Sequence, residues 1–441
     1  MLLFIFLFIW TFLFNSHLYA AEKAYIPVGT AFVKKTVLFF PETQATSILS
    51  PKVAQGIAKS LHETILNDLT FMGLFKFSSE PGTGTKNSAE YVIKTVLTEG
   101  VDKILTFETS LESLATPPSS EPGTGPTPSP KSIFARKYLA SQKDATTVAH
   151  TFANDIVKAL TQMPGIFLTQ LALSCDRTGK KEIYTMNFDG TDVRQISRHR
   201  SISFAPAWSP DSTRLAYSLY TKHKDNIRNI DLYEYNFTNS SLRLLSDRKG
   251  INSGATYSPD GKEIALTLSF RGNPEIYTLN LQSRKVTPLT QSFGFDVDPA
   301  YSPDGQYMAF VSSRTGVPMV FTMKANGKDV QRLTFAGKYN ATPVWSPQKT
   351  GNTNKIAFAG WIDQTFDLFT MNSDGTHIER LTKNQGKNED PSYSPDGNFI
   401  AFSSNRTGQK NIYVMNTDGT YVKRLTYGLG NCVSPKWSNA P

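Results

Sequence analysis

From Leu171 to the end of the chain, short runs of β-branched and aromatic residues alternate with clusters of Ser, Pro, Asp, Asn and Gly. This is the pattern of brief strands joined by tight turns. The clearest unit runs from Asp390 to Thr426, where Ile400-Ala-Phe402 and Ile412-Tyr-Val-Met415 carry the residues of packed strands. Ser394-Pro-Asp-Gly397, Asn405-Arg-Thr-Gly408 and Thr417-Asp-Gly419 supply the turns between them. In the first of these, Pro395 presets φ at a turn corner, Asp396 accepts from local N–H groups, and Gly397 takes the positive φ that ends the turn. The unit recurs with aromatic anchors at Trp208, Tyr257, Tyr301, Trp345, Tyr393 and Trp437, spaced 49, 44, 44, 48 and 44 residues apart. A second series keeps step: Ile183-Tyr184, Leu232-Tyr233, Ile276-Tyr277, Val320-Phe321, Leu368-Phe369 and Ile412-Tyr413. A four-stranded unit that is apolar on both faces cannot bury both alone, so the repeats predict a six-bladed β-propeller closed radially.

The ends of the ring are offset. Leu171-Ala-Leu-Ser-Cys175 aligns with Ile400-Ala-Phe-Ser-Ser404, so the propeller opens on a second strand, and Val433-Ser-Pro-Lys-Trp437 supplies the missing first strand from the C-terminal end. Such closure removes free sheet edges. The chain's two cysteines, Cys175 and Cys432, fall on these closing segments. They are expected either to form a disulfide that staples the ring or to stand as two buried free thiols; neither has a base partner in sequence that would suit a catalytic role.

The N-terminal part follows different periodicities. Leu2 to Phe14 is an almost unbroken apolar stretch followed by a small residue at Ala20, which reads as a signal peptide over residues 1–20, with an uncleaved anchor as the alternative. Residues 21–33 form a partner-binding or frayed segment. Residues 34–164 read as an α/β domain, with strands at Thr36–Phe40, Tyr91–Thr98, Lys103–Thr109 and Ile133–Leu139 and amphipathic helices at Pro51–Leu69 and Thr146–Leu160. The Pro- and Gly-rich tract from Pro117 to Pro130 belongs to no core. Pro164-Gly165 marks the boundary to the propeller, residues 165–441.

With 441 residues the chain has ample length for two cores. Its formal net charge of +9 favours encounter with acidic envelope surfaces, but Lys and Arg are scattered through strand ends and turns, unlike the concentrated patch that nucleic-acid binding needs. His62, His150 and His199 have no zinc-ligand spacing, and the acidic turns lack the alternation of a calcium loop. No Gly-x-Ser-x-Gly elbow is present. These features argue against a zinc or calcium site and against a serine-hydrolase nucleophile; no catalytic, metal or cofactor residue is singled out, and a propeller enzyme stays open at this point.

Ala149-His-Thr-Phe-Ala-Asn-Asp-Ile-Val-Lys-Ala-Leu-Thr161, the junction Pro164-Gly-Ile-Phe167, Leu171-Ala-Leu173 and the Ser-Pro-Asp-Gly repeats together resemble the TolB family of the Tol-Pal cell-envelope system. The resemblance spans nearly the whole chain after the signal. It implies a monomeric, non-enzymatic periplasmic adaptor, peripherally associated with envelope components, that supports outer-membrane integrity and cell division. It also implies a TolA-like inner-membrane partner at the mature N-terminus, carried here onto Glu22, Lys23, Tyr25, Ile26 and Val28, where Lys23 and Pro27 depart from the acidic, β-branched start usual in the family. A Pal-like peptidoglycan-associated lipoprotein is implied at the mouth of the propeller channel. The loops that precede the innermost strands place Arg198, His199, Arg200, Phe204, Phe293, Asp296, Asp298, Asn340, Thr342, Asn388 and Asp390 there as candidate contacts. Asp298, Thr342 and Asp390 also suit a turn-capping role, and Phe204 blade packing. A propeller enzyme, lyase or hydrolase, and a glycan-binding module are the alternative readings.

Overall fold

The structure, a computed structural model, describes residues 26–27, 35–47, 51–80, 88–100, 103–114, 131–223, 226–347 and 354–440. The expected signal peptide, the Pro117–Pro130 tract, and Glu22, Lys23, Tyr25 and Val28 lie outside them.

Six four-stranded antiparallel blades make up the propeller. We label the blades 1 to 6 by their innermost strands: Ser203–Trp208, Asn252–Tyr257, Asp296–Tyr301, Asn340–Trp345, Asn388–Tyr393 and Cys432–Trp437. In each of the first five, three further strands follow outward in chain order. Blade 6 joins Cys432–Trp437 to Gln170–Cys175, Glu182–Asn187 and Arg194–Gln195, so both ends of the ring share one sheet. Cys432 stands directly opposite Cys175 in that register, and the two sulfurs are bonded at 2.06 Å. Tryptophans tie neighbouring blades: Trp208 Nε1 donates to Lys436 O at 3.0 Å, and Trp345 Nε1 donates to Ala300 O at 3.0 Å.

The Ser-Pro-Asp-Gly turns do the local work that their chemistry dictates. In blade 2, Ser258 Oγ and Lys262 N donate to Asp260 Oδ1 at 2.7 and 3.1 Å, and Glu263 N donates to Ser258 Oγ at 3.0 Å. These donors, Ser258 foremost, hold the Asp260 carboxyl below its ordinary range.

In the N-terminal α/β domain, helices α1 (Pro51–Phe71) and α2 (Ala145–Thr161) pack on a six-stranded mixed sheet. Tyr91–Glu99, Leu105–Ser113 and Lys131–Ala140 are antiparallel neighbours, while Thr36–Phe39 and Gln44–Ser47 pair parallel with the first of them. Gln44–Ser47 and Phe75–Ser78 carry no sequence signal strong enough to announce a strand; the first forms by pairing with the longer Tyr91–Glu99, the second by pairing with Thr36–Phe39. Ile26 and Pro27 run parallel to Glu379 and Arg380 on the outer strand of blade 4.

Both units share one apolar core. Phe188, at the outer turn of blade 6, is buried with its ring 5.0 Å from Phe71 at the end of α1, 5.3 Å from Phe167 in the connection, and 6.0 Å from His150 on α2. Gly165 leaves room for that connection, since a Cβ there would fall 1.9 Å from Asn154 Oδ1. Beside Phe188, His150 Nδ1 and Asp68 Oδ2 meet at 2.7 Å, both side chains nearly buried. Burial pushes the Asp68 carboxyl up to about 6 against the downward pull of His150, and Asp189 adds a smaller upward push. A carboxyl raised on folding favours the protonated native state. Its contribution is full below the unfolded value of about 4 and is lost as pH rises through about 6. Between pH 4 and 7 the wild-type protein should therefore lose on the order of 2 kcal/mol that Asp68→Asn does not lose. Denaturant midpoints of the two proteins across that range test this.

Candidate functional site

One face of the ring carries the loops that enter each innermost strand, together with the turns between second and third strands. The Ser-Pro-Asp-Gly turns lie on the opposite face, where the α/β domain covers blades 5 and 6 through Phe71 against Phe188 and Phe399. The first face is the open mouth.

Every innermost strand is bulged near its mouth end, with register breaks at Phe204/Ala207, Ser253/Thr256, Val297/Ala300, Ala341/Val344, Glu389/Ser392 and Val433/Lys436. At each break one residue takes a left-handed backbone: Ala205 (φ 49°), Gly254 (61°), Asp298 (53°), Thr342 (49°), Asp390 (56°) and Ser434 (53°). Such a bulge re-aims a side chain at some conformational cost, and here all six residues line the axial channel. Gly254 has a further reason to be glycine, because a Cβ there would approach Asp298 Oδ1 to 3.3 Å.

Two positions upstream of each bulge stand Ser203, Asn252, Asp296, Asn340, Asn388 and Cys432, and all six are buried. This position anchors the entering loop. Asn252 Oδ1 accepts from Ser246 Oγ at 2.6 Å and Arg248 N at 3.1 Å; Arg314 pairs with Asp296 at 2.7 Å; Asn340 Nδ2 donates to Ala336 O at 3.0 Å. Asn388 donates to Asp367 Oδ1 at 3.1 Å and accepts from Arg406 at 2.9 Å. Asp296, Asn340 and Asn388, expected among the contacts offered to a partner, are thus corrected to internal supports of the mouth loops. Most polar groups at these positions are taken up by such internal bonds, although Asp296 Oδ1 is buried without a hydrogen-bond partner among the described residues.

The other candidates reach the mouth or the channel. Arg198 and Arg200 are exposed, and Arg200 N donates to Glu182 Oε1 at 2.7 Å, which holds the loop. His199 is half-buried with its Nε2 2.8 Å from Tyr217 Oη; burial lowers its pKa, so the ring is neutral at pH 7 and only the two arginines bring charge. Phe293 is fully exposed, while Phe204 is half-buried and lines the channel. Asp298, Thr342 and Asp390 occupy the bulge ring and face a channel of about 600 Å³. Asp390 accepts from Ser434 N at 3.0 Å and Ser403 Oγ at 3.2 Å.

Lys436 also lines the channel. It stands where the other innermost strands have Ala207, Thr256, Ala300, Val344 and Ser392, a contrast visible only when the repeats are laid over one another. Burial lowers its pKa, whereas Asp390 and Asp298 raise it. Burial likewise pushes Asp298 up to about 6, with Lys436 opposing and Asp390 reinforcing. The mouth face also gathers exposed apolar side chains: Ile202, Phe270, Phe293, Val317, Phe335 and Tyr427 are each at least 36% exposed and all sit on its loops and turns. A face so enriched differs from a solvated rim and has the composition of a protein contact surface.

A family model described as the TolB beta propeller domain matches residues 157–351 and 350–440. The Protein TolB homolog of Chlorobium chlorochromatii is 32% identical over 213 residues, 46% of this chain and 46% of that protein. The Tol-Pal system protein TolB of Geobacter metallireducens is 40% identical over 85 residues, 19% of this chain and 20% of that protein. The chain therefore aligns with about half the length of the first of these relatives and a fifth of the second. In fold, the crystal structure of TolB from Acinetobacter baumannii superimposes with a TM-score of 0.75 at 21% identity, covering 94% of this chain and 99% of that one. With the family model matching more than half its length across the six-bladed ring, the chain belongs to the TolB family.

Proposed function

We propose that this protein is a non-enzymatic periplasmic adaptor of the Tol-Pal system that links a TolA-like inner-membrane protein to a Pal-like peptidoglycan-associated lipoprotein, and so supports outer-membrane integrity and cell division. The observation that carries this reading is the asymmetry of the ring. One face is packed against the α/β domain, and the other presents exposed aromatic and aliphatic side chains around Arg198, Arg200 and a channel. Fully exposed Phe293 is the aromatic anchor of the lipoprotein contact, with Phe204, Asp298, Thr342 and Asp390 at the channel entrance and the 198–200 loop on the rim. The TolA-like partner takes the segment carrying Glu22, Lys23, Tyr25, Ile26 and Val28 as an added strand, in exchange for the pairing of Ile26 and Pro27 with blade 4.

Calorimetric titration of the processed protein with the soluble domain of the cognate lipoprotein tests the reading. Saturable one-to-one binding is expected, weakened about tenfold when Arg198, His199 and Arg200 are changed to alanine, with the charge-dependent part diminishing in high salt. Absence of binding at high protein concentration would remove the lipoprotein from the account.

A further inference from the structure

Beside the axis, between blades 4 and 5, the mouth face opens into a second cavity of about 630 Å³. Its wall is aromatic. Tyr339 and Trp361 each meet Phe366 edge to face, with centroids 5.7 and 5.0 Å away. Its floor is formed by Asp298, Thr342 and Asp390, shared with the channel, and its rim carries Lys338 and Glu389.

The polar groups here are unequally satisfied. Glu389 is paired with Lys410 at 2.6 Å, and Asp390 accepts from Ser434 and Ser403. Among the described residues, the Asp298 carboxylate has no hydrogen bond and no cation within 4 Å, and Thr342 Oγ1 is buried without a partner. Lys436 is near enough to influence Asp298 but forms no direct ion pair with it among the described residues. An acceptor pair left open beside aromatic faces calls for a ligand that donates several N–H bonds and carries positive charge. A planar guanidinium meets both demands, since it stacks on rings and donates in a fork.

We propose that this pocket receives an arginine side chain of the protein docked on the mouth, stacked on the Trp361–Phe366 wall and donating to Asp298 and Thr342. The identity of the occupant rests on the adaptor reading; the guanidinium chemistry of the pocket does not.

The test uses Nα-acetylarginine amide as probe, titrated into the processed protein, with Nα-acetylcitrulline amide as the uncharged isostere. Saturable millimolar binding of the arginine probe is expected, at least tenfold weaker in Asp298→Asn and several-fold weaker in Trp361→Leu. Asp304→Asn, in a turn on the opposite face, should bind as wild type does. Circular dichroism and melting temperature establish that each variant is folded. Equal binding to wild type and Asp298→Asn, equal binding of the citrulline isostere, or complete displacement of the probe by calcium chloride would each overturn the proposal. The lipoprotein domain separates the two readings. If it binds wild type and Asp298→Asn equally, the pocket has no role in docking while the adaptor reading stands; if it does not bind at all and the arginine probe does, the pocket chemistry stands and the adaptor reading falls.

Discussion

Phe188→Ala is expected to destabilise the protein by about 3–5 kcal/mol, the range for truncating a buried aromatic side chain. The ring is 1% exposed and fills the junction of both helices, the connection and blade 6. The loss goes beyond contact area, since the edge-to-face geometry with Phe71 is lost as well. Because this residue joins the two units through one shared core, its removal should also split a single thermal transition into two, with the α/β domain melting first. Calorimetry reads both effects. A variant that melts in one transition at the wild-type temperature would mean that the units are joined elsewhere.

Removing the disulfide by the paired change Cys175→Ser and Cys432→Ser should cost about 2–5 kcal/mol. The bond links residues 257 apart, so it restricts a long loop of the unfolded chain, and it also joins the two strands whose pairing closes the ring. Cys432 occupies the buried position that supports the mouth loops in the other blades. The serine pair should therefore loosen the 427–431 loop as well as lower stability. Unfolding midpoints of wild type with and without reductant, set beside the serine pair, measure the contribution; equal midpoints in all three would show that strand pairing alone holds the ring.

How much of this was legible in the residues depended on whether the determining interactions were local. Ser394-Pro-Asp-Gly397 and its copies form turns from their own side chains, so the number of blades and the offset closure could be read from spacing. The helices announced themselves by periodicity, whereas Gln44–Ser47 is a strand only because Tyr91–Glu99 lies beside it. At the mouth, the loops were identifiable but the direction of their side chains was not. Asp296 and Asp298 are two residues apart and look equivalent in sequence, yet the first sits in register, buried against Arg314, and the second, at the left-handed bulge itself, is turned to the channel. The aromatic wall of Trp361 and Phe366 comes from a second and a third strand and meets Tyr339 only after blade 4 has folded. Laying the repeats over one another does single out Lys436, the lone lysine at its position.

The mouth face is where we propose that a partner lipoprotein docks. Hydrogen exchange of the processed protein, with and without the soluble domain of its cognate peptidoglycan-associated lipoprotein, locates that contact directly. Protection is expected in the 198–204, 291–295 and 335–342 loops, with the Ser-Pro-Asp-Gly turns unchanged. Protection confined to those turns or to the α/β domain, with the mouth loops exchanging as in the free protein, would contradict the account.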